Sequence, residues 1–234
     1  MDSTISLGFI YEPSLRFANL RQPSPCFASR CSLNKAPDLT EPSGDVQYVL
    51  DGGTLLHRIP WERGSTYDEI CQQYVSYVEK HYNQPMVVFD GYLQGPSTKD
   101  ATHQRRTRGN VGTATLFESS MKFNSRKDDF LSNKENKQRF INLLGNHLER
   151  HGGHTENARA DADLLIVQCA IAVAEADTTK PTILVADDTD VLLLLYYHSK
   201  PTTPSIYFRP EPRKGIRKTP RCWNISVLRT MLGK

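Results

Sequence analysis

The residues best suited to chemistry in this sequence are aspartates that stand where apolar segments end or begin. They are Asp51, Asp90, Asp187 and Asp188 at the ends of apolar runs, Asp161 and Asp163 at the start of another, and Asp190 just beyond. Carboxylate oxygens are hard ligands of the kind that Mg²⁺ and Mn²⁺ prefer. Carboxylates crowded together raise one another's pKa unless a cation neutralises them. If the fold gathers these aspartates, the sequence predicts a site for Mg²⁺ or Mn²⁺.

Each aspartate also has an ordinary structural interpretation. Asp51 and Asp90 both precede glycine, which is common turn chemistry. An aspartate at the start of a helix caps free N–H groups and interacts favourably with the helix dipole. The chemical interpretation therefore depends on several of them converging.

The elements that would position these aspartates alternate between strands and helices. Strands are predicted at 46–50, 86–89, 181–186 and 205–208, and helices at 66–81, 134–150, 161–176, about 188–197 and from 227 onward. This alternation predicts an α/β fold with a mainly parallel central sheet flanked by helices. The carboxyl ends of parallel strands share one edge, where ligands bind at the point of reversed strand order. Asp51, Asp90 and Asp188 are expected to meet there.

The charge distribution is more informative than the net charge of +3. Two basic clusters flank the acidic positions. They are Lys99, Arg105, Arg106, Arg108, Lys122, Arg126 and Lys127, and then Arg209, Arg213, Lys214, Arg217, Lys218 and Arg221. Basic clusters beside an acidic centre suit a protein that holds a polyanion, although a solvated charged face has the same composition.

The chain of 234 residues is long enough for one α/β domain with an extra arm. We expect a poorly ordered, proline-rich extension at 1–44, a folded domain at 45–234, and a polar, basic arm at about 97–132. The five cysteines include no Cys-x-x-Cys pair, and the longest apolar run, 191–197, is too short for a membrane span. An intracellular protein of the nucleus or cytoplasm, without a membrane partner, is the expectation.

Four motifs in order resemble the PIN-like nucleases of the flap endonuclease/XPG type. They are Val-Leu-Asp51-Gly-Gly, Val-Val-Phe-Asp90-Gly, Asp161-Ala-Asp163 and Asp187-Asp188-Thr-Asp190-Val-Leu. The resemblance, which covers about 46–234, implies a PIN-like/5′-3′ nuclease fold and two metal ions. The implied ligands are Asp51, Asp90, Asp161, Asp163, Asp188 and Asp190, with Asp187 as a neighbour.

The same resemblance implies that a lysine and an arginine face the scissile phosphate of bound DNA or RNA. Lys99 and Arg106 match in order and spacing, Arg105 is a close rival of Arg106, and Arg108 joins them as a nucleic-acid contact. More narrowly, the stretches around Asp51, Lys99 and Asp188 are similar to a group of uncharacterised animal PIN-like proteins.

The sequence departs from the family pattern in two ways. Asp161 and Asp163 stand where the family usually has glutamate, so each side chain is one methylene shorter. The family also continues beyond the last predicted helix into a further ligand and a DNA-binding element, so we expect an incomplete C-terminal part.

Three functional classes follow from these patterns. The first is a metal-dependent nuclease of DNA or RNA, and the second is a catalytically inactive, truncated PIN-like module that binds nucleic acid or serves as a scaffold. The third is a phosphohydrolase that acts on a small phosphate ester and uses Asp90 at the strand end. Such an enzyme is expected to have a second aspartate two residues further on, where this sequence has Tyr92.

Two other groups of residues favour a structural interpretation. His147, His151 and His154 are predicted to be surface histidines rather than a zinc site, because no His-Glu-x-x-His pattern is present. Trp61 is predicted to pack as an aromatic anchor rather than to stack on a base.

Overall fold

The secondary structure alternates as the sequence predicts, in a computed structural model that describes residues 41–91, 112–158, 162–211 and 221–231. The strands are β1 (Gln47–Asp51), β2 (Met86–Phe89), β3 (His154–Asn157), β4 (Thr182–Val185), β5 (Ile206–Arg209) and β6 (Trp223–Asn224). The helices are α1 (Gly52–Arg58), α2 (Tyr67–Tyr82), α3 (Lys127–Ser132), α4 (Lys134–Arg150), α5 (Ala162–Ala176), α6 (Thr189–His198) and α7 (Ile225–Met231).

The strands form one sheet in the order β3-β2-β1-β4-β5-β6. The first five are parallel, and β6 pairs with β5 in the antiparallel direction. The predicted α/β class with a mainly parallel sheet is therefore confirmed. The chain runs outward from β1 through β2 to β3 and then returns to β4 on the other side of β1. Strand order thus reverses between β1 and β4, where α/β sheets bind ligands.

Helices cover both faces of this sheet. The apolar core on one face joins α2 and α4 to inward side chains such as Leu50, Phe89 and Ile183. On the other face α5 contacts β1, β2, β4 and β5, and α6 packs against α5. Burial of such side chains is the main stabilising term of a fold of this kind.

Local signals explain where α2 begins and ends. Thr66 accepts a hydrogen bond from the backbone of Glu69, and the Glu69 carboxylate accepts one from the backbone of Thr66. This reciprocal capping box satisfies two otherwise free N–H groups. Asn83 ends the helix with a φ of 57°, and Pro85 directly precedes β2.

Three elements differ from the sequence-based prediction. The segment after Asp51 forms α1, where a turn was expected, because Asp51 caps it and Leu55 and Leu56 are buried. The short strands β3 and β6 were not predicted, since four mostly polar residues and a pair of residues carry no strand pattern.

The second half of the predicted basic arm packs against the core of the domain. Phe123, Phe130 and Leu131 lie in the core, and Phe117 stacks on Tyr67 with ring centroids 4.0 Å apart. Residues 97–111 of that arm, and residues 1–40 of the predicted extension, lie outside the described residues. In the described ranges no helix has the length and apolar character needed to cross a membrane.

Candidate metal centre at the carboxyl edge of the sheet

Asp51 ends β1 and at the same time caps α1. Its Oδ1 accepts a hydrogen bond from the Gly53 backbone at 2.8 Å, and its Oδ2 accepts one from the Thr54 hydroxyl at 2.6 Å. Burial raises the pKa of Asp51 above its usual value despite these hydrogen bonds, and the charge of Asp90 adds to that rise. The two carboxylates therefore repel each other across neighbouring strand ends.

A glycine allows this close approach of the β1 and β2 ends. A Cβ at Gly52 would lie 2.3 Å from Cδ1 of the buried Phe89 ring, the residue before Asp90. At the first position of α1, only glycine can lie this close to the Phe89 ring.

Asp90 in turn meets the start of α5. Its Oδ1 accepts a hydrogen bond from the Ala162 backbone at 3.2 Å. Asp163 is the second residue of that helix and is half-buried. Asp90 therefore contacts the residue next to Asp163. Asp161 lies outside the described residues.

The aspartates after β4 lie at the same edge of the sheet. Asp188 caps α6, its Oδ1 accepting from the Asp190 backbone at 2.9 Å, and both side chains are exposed. Asp187 instead accepts a hydrogen bond from the Glu211 backbone at 3.0 Å, which ties the β4 end to the β5 end. Asp187 thus has a structural role here.

These positions supply the right donor chemistry. Asp51, Asp90 and Asp188 follow three adjacent parallel strands, and hard carboxylate oxygens suit Mg²⁺ or Mn²⁺. A cation would also relieve the repulsion between Asp51 and Asp90. In residues 41–91, 112–158, 162–211 and 221–231, however, no group of three or more His, Cys, Asp or Glu is gathered closely enough to hold a metal ion. The centre of six aspartates therefore stays a prediction.

Similarity to known proteins adds little to this geometry. No family model matches the chain, and no curated protein does. Among solved structures, the chain is similar to a eukaryotic junction-resolving enzyme, GEN-1, described as binding caesium. That similarity has a TM-score of 0.34 and 13% sequence identity, and it covers 76% of this chain and 31% of the other.

A TM-score of this size does not establish a shared fold. The chain also spans less than a third of that enzyme's length, at 31%. Membership of the PIN-like family stays a prediction that rests on the four motifs.

The predicted phosphate-binding residues, Lys99, Arg105, Arg106 and Arg108, lie outside the described residues. Near α1 the structure describes another cation, Lys127. Its ammonium donates to the Ile59 carbonyl at 2.6 Å and lies 5.6 Å from the centroid of the Trp61 ring. Burial lowers the pKa of Lys127 to about 8. Trp61 itself packs between Phe123 and Phe140, as predicted for an aromatic anchor.

The histidine prediction was wrong for His147. Its side chain is buried, and its Nε2 lies 3.3 Å from the Asp68 carboxylate. His151 is paired with Glu79 at 3.0 Å. His147 lies on the inner face of α4 and contacts Asp68 on α2. The spacing of the histidines in the sequence does not indicate this contact.

The buried carboxylate of Glu211 was not predicted as part of the site. It lies two residues after β5, and the side chains around it are Arg58, Tyr77 and Tyr82. The sequence offered one signal, since Glu211 follows a strand in the same way as Asp51 and Asp90 do.

Proposed function

We propose that this chain is a divalent-metal-dependent nuclease that hydrolyses phosphodiester bonds in DNA or RNA. The observation that carries the proposal is the placement of aspartates after three adjacent parallel strands, on both sides of the point where strand order reverses. Carboxylates brought to one edge of a sheet are stabilised by a cation, and they have no use in a surface that only binds a polyanion.

The residues that would hold the metal are Asp51, Asp90, Asp163, Asp188 and Asp190, together with Asp161. A divalent cation bound there supplies activation of water near neutral pH and stabilisation of the departing 3′-oxygen. No protein nucleophile is required for this reaction class.

The remaining steps fall to this chain's own side chains. Thr54 and the Gly53 backbone orient both oxygens of Asp51, so its carboxylate is preorganised before any ligand arrives. Lys99 and Arg106, by the family resemblance, contact the phosphate and neutralise charge as it builds in the transition state. The basic residues around them hold the rest of the polyanion.

The test is cleavage of end-labelled DNA and RNA, single-stranded and duplex, with Mn²⁺ and with EDTA. We expect Mn²⁺-dependent cleavage that falls by at least about a hundredfold in Asp188→Asn, since changes around a metal site alone cost tenfold or more. Asparagine keeps the oxygen that caps α6, so thermal stability should stay within about 0.5 kcal/mol. Asp129→Asn on the exposed start of α3 is the matched control.

Cleavage that survives both Asp188→Asn and chelation by EDTA would argue against the proposal. Nucleic-acid binding without Mn²⁺ binding or cleavage would identify the inactive binding module instead.

A further inference from the structure

Glu211 is a buried acid that the proposed chemistry does not use. It follows β5 at the same edge of the sheet as the aspartates, and its side chain is 5% exposed. A carboxylate removed from water is tolerated only where hydrogen bonds and a cation compensate for the lost hydration.

Its carboxylate is fully engaged by two helices. The hydroxyls of Tyr77 and Tyr82, both on α2, donate hydrogen bonds to its two oxygens. The Nε of Arg58, the last residue of α1, donates to Oε1 at 3.3 Å. Glu211 therefore fixes the end of α1 against the end of α2.

The titration behaviour of the partners agrees with this geometry. Burial raises the pKa of Tyr82 above its usual value, and the adjacent Glu211 carboxylate raises it further. Burial alone would lower the pKa of Arg58, but its contacts with Tyr77 and Glu211 outweigh burial and raise it. The tyrosines thus remain donors and the guanidinium remains charged at neutral pH.

The backbone of Glu211 reaches the other side of the candidate centre. Its N–H donates to Asp187 Oδ1 at 3.0 Å, and the Ala186 N–H donates to the Arg209 carbonyl at 3.2 Å. Asp187 is covalently next to Asp188, which caps α6. The segment that carries Asp188 is therefore tied to Glu211.

Glu211 consequently connects the two sides of the edge. On one side is α1, whose first turn is capped by Asp51, and on the other is the loop between β4 and α6. Within the described residues, side-chain and backbone contacts run from Arg58 through Glu211 to Asp187.

We propose that Glu211 is a positioning residue that links α1, which Asp51 caps, to the loop that carries Asp188, so that the two aspartates can bind one cation. This inference rests on the proposed nuclease function and adds to it a residue that touches neither metal nor substrate. Groups that orient metal ligands from outside typically change metal affinity or activity by tenfold to a hundredfold when they are altered.

The test is calorimetric titration of the full chain with Mn²⁺ alone, in wild type, Glu211→Gln and Tyr77→Phe. In Glu211→Gln the new amide group faces hydrogen-bond donors and carries no charge, so the contacts to Arg58 and the tyrosines weaken. We expect the Mn²⁺ Kd to rise by about tenfold in Glu211→Gln and by less in Tyr77→Phe. Cleavage should lose kcat with little change in KM for nucleic acid.

His147→Gln is the matched control, because it breaks the contact of a buried histidine on α4 with Asp68 on α2 without reaching Asp187 or α1. It should lower thermal stability and leave the Mn²⁺ Kd unchanged. If Glu211→Gln does not fold, Tyr77→Phe, which removes a single hydroxyl, decides the question in the same titration.

The Mn²⁺ titrations distinguish failure of the positioning role from failure of the nuclease proposal. Wild-type Mn²⁺ affinity in both Glu211→Gln and Tyr77→Phe would overturn the positioning role and leave the nuclease proposal standing. A wild-type chain that binds no Mn²⁺ would overturn the nuclease proposal and, with it, this inference.

Discussion

Asp51 combines two roles at the scale of a single residue. Its carboxylate caps α1 through Gly53 and Thr54, and it is also a candidate metal ligand whose pKa is raised by burial. A cap needs only an oxygen acceptor, whereas tight binding of a divalent cation also depends on the negative charge of its carboxylate ligands. Replacing aspartate by asparagine separates the two roles.

We predict that Asp51→Asn changes how stability depends on pH in metal-free protein. Burial raises the folded-state pKa of Asp51, so its ionisation destabilises the fold as pH rises above the unfolded value of about 3.9. The variant has no carboxyl group to ionise at position 51, so its free energy of unfolding should increase relative to that of wild type as the pH rises toward the folded-state pKa of Asp51. Above that pH the difference between the two proteins should stay constant. Urea unfolding in EDTA between about pH 4 and pH 7 measures the difference.

The pH-independent effects of the substitution cancel in this comparison. Stability curves of Asp51→Asn and wild type that stay parallel over the whole pH range would show that ionisation of Asp51 does not destabilise the fold. Added Mn²⁺ should stabilise wild type and not the variant, because a ligand that binds only the folded state shifts the unfolding equilibrium.

At the scale of elements, the junction between β1 and α1 determines how closely two candidate ligands approach. Gly52 lies against the buried ring of Phe89 where the paired ends of β1 and β2 meet, and a side chain at position 52 would displace that ring. The geometry of the candidate centre therefore depends on a residue that has no side chain.

We predict that Gly52→Ala destabilises the protein by about 1–3 kcal/mol, the usual cost of overpacking. The added Cβ would lie 2.3 Å from Cδ1 of Phe89, a distance that forces the strand ends apart. The same change in a Phe89→Leu background should cost less, since leucine can turn away from the new methyl group. Chemical denaturation of the four proteins of this double-mutant cycle gives the coupling.

Equal costs of Gly52→Ala in the two backgrounds would show that the Phe89 ring is not what opposes a side chain at position 52. In that case the preference for glycine at position 52 would need another explanation, such as the entry of the chain into α1.

The elements that the sequence predicts well are those with a strong apolar pattern. α2 and α4 follow the helical period closely, and β2 was predicted with its observed bounds, 86–89. β3 was missed because its polar residues become a strand only by pairing with β2, a contact distant in sequence. Phe117 and Phe123 were missed because they enter the core from an extended segment without any period.

At the scale of the whole molecule, the sequence predicted which aspartates share an edge but not how they are held. The alternation of strands and helices predicts a parallel sheet, so the carboxyl ends of β1, β2 and β4 were expected to lie at one edge. The contact of Asp90 with Ala162 and the link from Asp187 to Glu211 depend on tertiary packing, so no local pattern reveals them.

The charge distribution leads to a prediction at the same scale. If Lys99, Arg105, Arg106 and Arg108 contact phosphates, changing all four to glutamine should weaken binding of duplex DNA and reduce its salt dependence. Each lost phosphate contact lowers the slope of log K against log salt by about 0.9 for duplex DNA. Fluorescence anisotropy over a range of salt concentrations, without divalent metal, measures both quantities.

Arg139→Gln on α4 provides a control of the same charge type, because Arg139 is already paired with Glu135 and the Thr115 carbonyl. An unchanged slope in the fourfold variant would place the nucleic-acid surface elsewhere, for example on the cations that follow β5.

The proposed function depends on distant aspartates sharing a cation at the carboxyl edge of the sheet. Its most direct test is a crystal structure of the chain soaked in Mn²⁺, with anomalous difference maps to locate the metal. We expect a Mn²⁺ peak coordinated jointly by Asp51 and Asp90 or Asp188. Well-occupied Mn²⁺ elsewhere on the protein, with this edge empty at saturating Mn²⁺, would contradict it.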